Sequence, residues 1–244
     1  MGERPGRWAA AAAVLMALPA CGSAPDKVQM RGVVWDGPEA AESVAGASLE
    51  VTDASGARFA QATSNADGSF IVEVPAGSGY VLTVSATGYV PTGWAGESGL
   101  EDFSAGSYAP WIPTVSWMDQ VRGEWAGCPG ADGTGTAVLG ELRLGYPYII
   151  DGVPGEGAVA TLLDSDGGSS DGCYRDANGA PAPDAESAGP DGLYAIFGAP
   201  AGVAWTTGRY EDAAGELWET AYLAPLPEGG LVVLFPTLVL VDTP

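Results

Sequence analysis

Carboxylates, indole rings and two cysteines are the groups in this 244-residue chain whose spacing could do chemistry. Asp164-Ser165-Asp166-Gly167, with Asp171 shortly after, sets carboxylates close together on a glycine turn, a donor set suited to a hard cation such as Ca2+. Asp176, Asn178 and Asp184 follow and could complete a looser site. The run lacks the twelve-residue loop closed by glutamate, and Asp53-Ala54-Ser55-Gly56 has the same form with fewer carboxylates, as an ordinary hairpin turn does. The solvated turn is the preferred reading, Ca2+ at Asp164, Asp166 and Asp171 is the alternative, and no other cofactor is expected.

Trp94, Trp111, Trp117 and Trp125, with Phe103 and Tyr108, crowd one stretch of the chain. Exposed indoles offer broad faces to the apolar side of a sugar ring, so Trp94, Trp111 and Trp117 are candidate ligand-binding residues and a polysaccharide a candidate partner. Trp111, Pro113, Val115 and Trp117 alternate on one face of an expected strand, which favours core packing for the two tryptophans. Trp94, between Gly93 and Gly96, is expected to be exposed.

Catalytic residues are expected to be absent. The chain has no histidine, which removes the commonest general base and metal ligand, and its only lysine, Lys27, lies in the tether that precedes the expected fold. No phosphate loop, nucleophile elbow or Cys-x-x-Cys occurs, and with 31 acidic residues the proximity of some carboxylate pair carries no information. The net charge of −22 repels nucleic acid.

Residues 1–20 read as a processed leader: Arg4 and Arg7 precede an apolar run, Trp8 to Ala20, too short to span a membrane. The run ends in Leu18-Pro19-Ala20-Cys21, which resembles the lipobox of bacterial lipoproteins. That resemblance implies cleavage before Cys21, lipidation of its thiol, and membrane attachment through a tether over 21–27; the alternative is an ordinary secretory leader with Cys21 incidental. Gly22 and Ser23, with no aspartate after the cysteine, resemble the signal for the outer membrane in a Gram-negative cell. In that exported, oxidising setting Cys128 and Cys173 are expected to pair, with two buried free thiols as the alternative; pairing would stabilise the fold by about 4 kcal/mol.

After residue 27 apolar residues alternate with polar ones, helical periodicity is nearly absent, and Gly, Pro and Asp punctuate the strands. Strands are expected at 28–35, 47–52, 58–63, 69–74 and 80–86. The order Gly32-Val33-Val34, Gly46 to Val51, Asn65-Ala66-Asp67-Gly68-Ser69-Phe70, Pro75-Ala76-Gly77 and Tyr80 to Tyr89 resembles a carboxypeptidase-regulatory-like module. The resemblance covers about 27–92 and implies a transthyretin-like β-sandwich that accompanies adhesins, uptake systems and peptidases as a non-catalytic part. The same order returns with Gly157 to Gly167, Pro190-Asp191-Gly192-Leu193-Tyr194 and Pro200-Ala201-Gly202. The expected fold is therefore all-β: two tandem transthyretin-like (Greek-key) sandwiches over 28–125 and 126–244, the second with a longer loop between 167 and 187 and with its closing strand, bearing Pro236, in 231–241. The functional expectation is a non-catalytic envelope lipoprotein acting as a structural or interaction module on polysaccharide or envelope protein; glycan binding and calcium-stabilised adhesion are the alternatives.

Overall fold

The computed structural model describes residues 26–38, 42–105, 110–145, 153–234 and 237–240. The leader, Cys21, most of the tether, Tyr108 and Pro236 lie outside the described residues. The first half holds β1 (Lys27–Val33), β2 (Ser48–Thr52), β3 (Arg58–Thr63), β4 (Ser69–Pro75), β5 (Gly79–Ser85), β6 (Thr92–Glu97) and β7 (Phe103–Ser104). A helix, α1 (Val115–Glu124), separates it from β8 (Thr136–Glu141), β9 (Arg143–Leu144), β10 (Val153–Pro154), β11 (Val159–Leu163), β12 (Ser169–Asp171), β13 (Cys173–Arg175) and β14 (Pro181–Ala182). The chain continues through β15 (Leu193–Ala199), β16 (Gly202–Glu211), β17 (Leu217–Leu226), β18 (Leu231–Leu234) and β19 (Thr237–Leu240).

Alternation decides which face of each strand is buried. In β4, Phe70, Val72 and Val74 are at most 3% exposed while Ile71 between them is 57% exposed. These inward residues meet Met30, Leu49, Val51 and Leu82 in the first core, each aliphatic or aromatic side chain contributing roughly 1.5–3 kcal/mol by leaving water. The second core gathers Leu142, Leu162, Tyr174, Tyr194 and Ile196 in the same way.

The two halves are wired alike. β2 pairs with β3 and β5, and β5 with β6; β11 pairs with β12 and β16, and β16 with β17, all antiparallel. On the facing side β1 pairs antiparallel with β4 and parallel with β7, as β8 does with β15 and β18. Even the backbone latch is repeated: Gly46 N–H donates to Ser64 O and Ser64 N–H to Ala47 O, while Gly157 N–H donates to Ala188 O and Ala188 N–H to Ala158 O. The fold is thus two tandem β-sandwiches.

Two expectations are corrected. The segment 167–187 is not one long loop, because β12, β13 and β14 form within it and β13 and β14 extend the sheet beyond β15. The stretch from Val115 is not a strand carrying Trp117 but α1. Thr114 Oγ1 accepts the N–H of Trp117 at 3.2 Å and so caps the helix. Beyond that cap Met118, Val121 and Trp125 are the buried positions, a helical spacing, and Val115 is 50% exposed.

One strand joins the halves. β18 lies parallel to β8 on one side and to β6 on the other, so a nine-stranded sheet, β14-β13-β15-β8-β18-β6-β5-β2-β3, runs through both. A third core, with Met118, Trp125, Ala195, Phe197 and Leu231, fills the space between α1 and this sheet. Gly93 on β6 faces the carbonyl of Pro225 on β17 so closely that a Cβ there would collide with it.

Candidate functional site

Beside that third core a cleft of about 420 Å³ opens between α1 and the shared sheet. Leu139 of β8, Leu193 of β15 and Val233 of β18 contribute aliphatic side chains to its lining. Trp117, Val121, Glu124 and Trp125 come from α1 and its end. Trp35 and Trp111 arrive from the first half, held by backbone bonds: Trp35 N–H donates to Pro110 O at 3.0 Å and Ile112 N–H to Trp35 O at 2.8 Å. Ile112 is fully buried in the first core. The Trp111 and Trp117 rings meet nearly at right angles (77°), with centroids 5.8 Å apart, the edge-to-face arrangement that aromatic quadrupoles favour.

Arg175, at the end of β13, supplies a charged part of the lining. Its guanidinium lies 4.8 Å above the centroid of the Trp125 ring and 3.8 Å from Glu124 Oε2, while Glu124 Oε1 accepts a hydrogen bond from Gln120 Nε2 at 2.9 Å. The Cys128–Cys173 disulfide, with Cα atoms 5.9 Å apart, ties the loop after Trp125 to the start of β13. The two sulfur atoms are bonded, so the expected pairing holds in place of two free thiols, and both cysteines are 5% exposed. On the other side of the helix Arg122 donates to Gly135 O at 2.6 Å and Ala131 O at 3.3 Å and lies 5.5 Å from the Phe197 ring centroid, ordering the glycine-rich loop that carries Cys128. The cleft therefore offers indole rings, an aliphatic lining and one internally paired charge couple.

The tryptophan candidates separate. Trp111 and Trp117 come together, half-buried, in the cleft, whereas Trp94 sits on β6 outside it. The expectation that Trp94 is exposed is corrected: opposite Leu82 in the ladder, it packs half-buried against the first core. Sequence reasoning did not select Trp35, Glu124 or Arg175, which are far apart in the chain. Trp35 lies two residues beyond the end of β1, and that position was the available signal for it. Trp205, 52% exposed on β16 and opposite the exposed Leu163, was also missed.

The aspartate candidates belong to a recurrent turn. Asp164 Oδ1 accepts the N–H groups of Asp166 at 3.0 Å and Gly168 at 2.6 Å. Asp53 does the same with Ser55 and Ala57, Asp176 with Asn178 and Ala180, and Asp212 with Ala214 and Glu216. In all four Asp-x-x-Gly turns the glycine has positive φ, 78° to 84°, a conformation that costs other residues strain. One oxygen of Asp164 is thereby committed to its own backbone, while Asp171 accepts from Thr161 Oγ1 at 3.1 Å. Among the described residues no three carboxylate or thiol side chains are grouped to hold a metal ion. The Ser55 hydroxyl, followed by the Ala57 N–H, holds the Asp53 carboxyl below the usual range, and the N–H groups of Ala180 and Asn178 do so for Asp176. Burial pushes the Tyr194 hydroxyl far up, with neighbouring Tyr174 adding to it. No described helix is long and apolar enough to cross a membrane.

Among solved structures the chain is similar to the Bacillus anthracis TIE protein, at 12% identity and a TM-score of 0.31, covering 88% of this chain and 34% of that one. The chain thus spans about a third of that protein's length. It is also similar to the shaft pilin SpaA of Lactobacillus rhamnosus GG (10% identity, TM-score 0.27, covering 90% and 99% of the two chains). A streptococcal ancillary pilin is similar at 11% identity and a TM-score of 0.29, over 87% of this chain and 62% of the other. No curated protein sequence matches. Residues 29–95, spanned by strands β1 to β6, match the family described as carboxypeptidase regulatory-like domain.

Proposed function

We propose that the chain is a non-catalytic, lipid-anchored module of the cell envelope that holds a ligand or partner in the tryptophan cleft. The observation that carries this reading is the convergence of Trp35, Trp111, Trp117 and Trp125 on one concave site, since aromatic-rich pockets with few polar groups are what ligands and partner side chains fill. The regulatory-like domain over 29–95 supports a supporting part and not a reacting one. Export and anchoring rest on Arg4, Arg7, the apolar run and Cys21, and Gly22 and Ser23 favour the outer membrane if the cell is Gram-negative. Two or three acyl chains, at about 0.8 kcal/mol per buried CH₂, would hold it there durably.

A glycan ligand is the second reading, favoured by the pairing of Trp111 with Trp117. Binding of the purified protein to a broad polysaccharide and glycan array, compared with Trp117→Ala, tests both. A hit lost in the variant makes the cleft a glycan site. A hit that survives puts binding elsewhere and sinks the assignment of the cleft. For the anchor, Cys21→Ser should abolish incorporation of labelled palmitate in growing cells; incorporation that persists removes the lipobox.

A further inference from the structure

The cleft, we infer, takes an organic cation: an ammonium or guanidinium group on a compact apolar body. This rests on the cleft being the working site and adds the charge of its occupant. Trp111 and Trp117 meet edge to face at 77°, and Trp35 lines the same cleft, so three indoles border one space. Indole faces carry negative electrostatic character and attract a cation held within about 6 Å of the ring centroid. The molecule already uses that chemistry in this place, because the Arg175 guanidinium rests 4.8 Å from the Trp125 centroid.

Charge points the same way. Arg175, the one cation among the described residues lining the cleft, is committed to Trp125 and Glu124. Glu124 remains 49% exposed. Asp36 lies in the chain between the lining residues Trp35 and Gly37, and its Oδ1 accepts the backbone N–H of Glu42 at 3.0 Å. The whole chain carries −22, so an anionic ligand is repelled on approach and a cationic one is drawn in. A volume of about 420 Å³ exceeds a trimethylammonium head and leaves room for an apolar body against Leu139 and Val233.

The test is a tryptophan-fluorescence titration of the purified protein with choline and with dimethylbutanol, its uncharged carbon isostere. Choline should bind roughly tenfold more tightly than the alcohol. Trp111→Ala should lose the response, Trp117→Phe should keep part of it, and Trp94→Ala, outside the cleft, should leave it unchanged, with melting temperatures confirming that each variant folds. Equal affinity for choline and the alcohol would overturn the inference while leaving the cleft as a binding site. Silence towards choline would also overturn it. Nile red then separates the two claims: a dye signal lost in Trp111→Ala keeps the cleft reading, and no dye signal removes that reading too.

Discussion

The two sandwiches follow one plan until Gly172, and the departure there creates the site. In the first half the β2–β3 hairpin closes on the Asp53 turn and the chain passes directly through Asn65–Gly68 into β4. In the second, β11 and β12 close on the equivalent Asp164 turn, but the chain then crosses to the facing sheet and lays down β13 and β14 before β15. That insertion delivers Arg175 to the cleft and Cys173 to its disulfide with Cys128, and the connection between the halves delivers α1 with Trp117, Glu124 and Trp125. The repeated frame is scaffolding; the added segments carry the distinctive chemistry, as connecting segments on rigid scaffolds often do.

Removing the feature found only in the second half has the largest expected effect. Cys128→Ser with Cys173→Ser should lower stability by about 4 kcal/mol, and hydrogen exchange should show the loss in β13 and the loop after α1 and spare β2 to β5. Uniform loss across both halves would mean that they fold as one unit.

The joint comes next. Gly93→Val pushes a side chain into the Pro225 carbonyl, and overpacking of this kind costs roughly 1–3 kcal/mol. Protection should fall along β6 and β18; an unchanged melting temperature would show that the joint yields without cost.

The shared turns sharpen the likeness. Gly56→Ala and Gly167→Ala force an L-residue into a φ of 84° at equivalent hairpins, so each should cost about 1–2 kcal/mol. A marked difference between them would break the equivalence. Chelator should leave the melting temperature unchanged, because the Asp164 carboxylate already accepts its own turn N–H groups; a fall on chelation would restore the calcium reading.

The smallest effect is acid sensitivity. Asp53, Asp67 and Asp176 have folded pKa values below the ordinary 3.8, through the Ser55 hydroxyl, the Ser69 hydroxyl and the Ala180 N–H respectively. Such groups stabilise the fold when ionised, so their contribution is complete above the unfolded pKa and is lost as pH falls through the depressed folded values. Thermal unfolding should be level from neutrality to about pH 5 and weaken below about pH 4, less steeply in Asp53→Asn.

Most of the frame was legible because its causes are local. Strand β4 shows in the alternation from Ser69 to Val74, and the turns show in Asp53 to Gly56 and Asp164 to Gly167, where an Asx bond and a left-handed glycine act within five residues. The second copy showed in Pro190-Asp191-Gly192-Leu193, whose Asp191 Oδ1 accepts the Leu193 N–H just as Asp67 accepts that of Ser69. The reading failed where two periods competed: Trp111, Pro113, Val115 and Trp117 alternate, but the Thr114 cap switches the chain to helix at Val115. The cleft was only half legible, because Trp111 and Trp117 lie in one stretch while Trp35 and Arg175 do not.

By itself the sequence determined the all-β class, the repeated module, the turn chemistry and the acidic surface, since each depends on neighbours in the chain or on composition. Tertiary structure alone decided that β18 would lie between β6 and β8, that Trp94 would pack into the first core, and that Trp35, Trp111, Trp117 and Trp125 would line one cleft. Those outcomes depend on which sheet edges and apolar faces meet, and residues as distant as Trp35 and Arg175 become neighbours only when two sandwiches share a sheet.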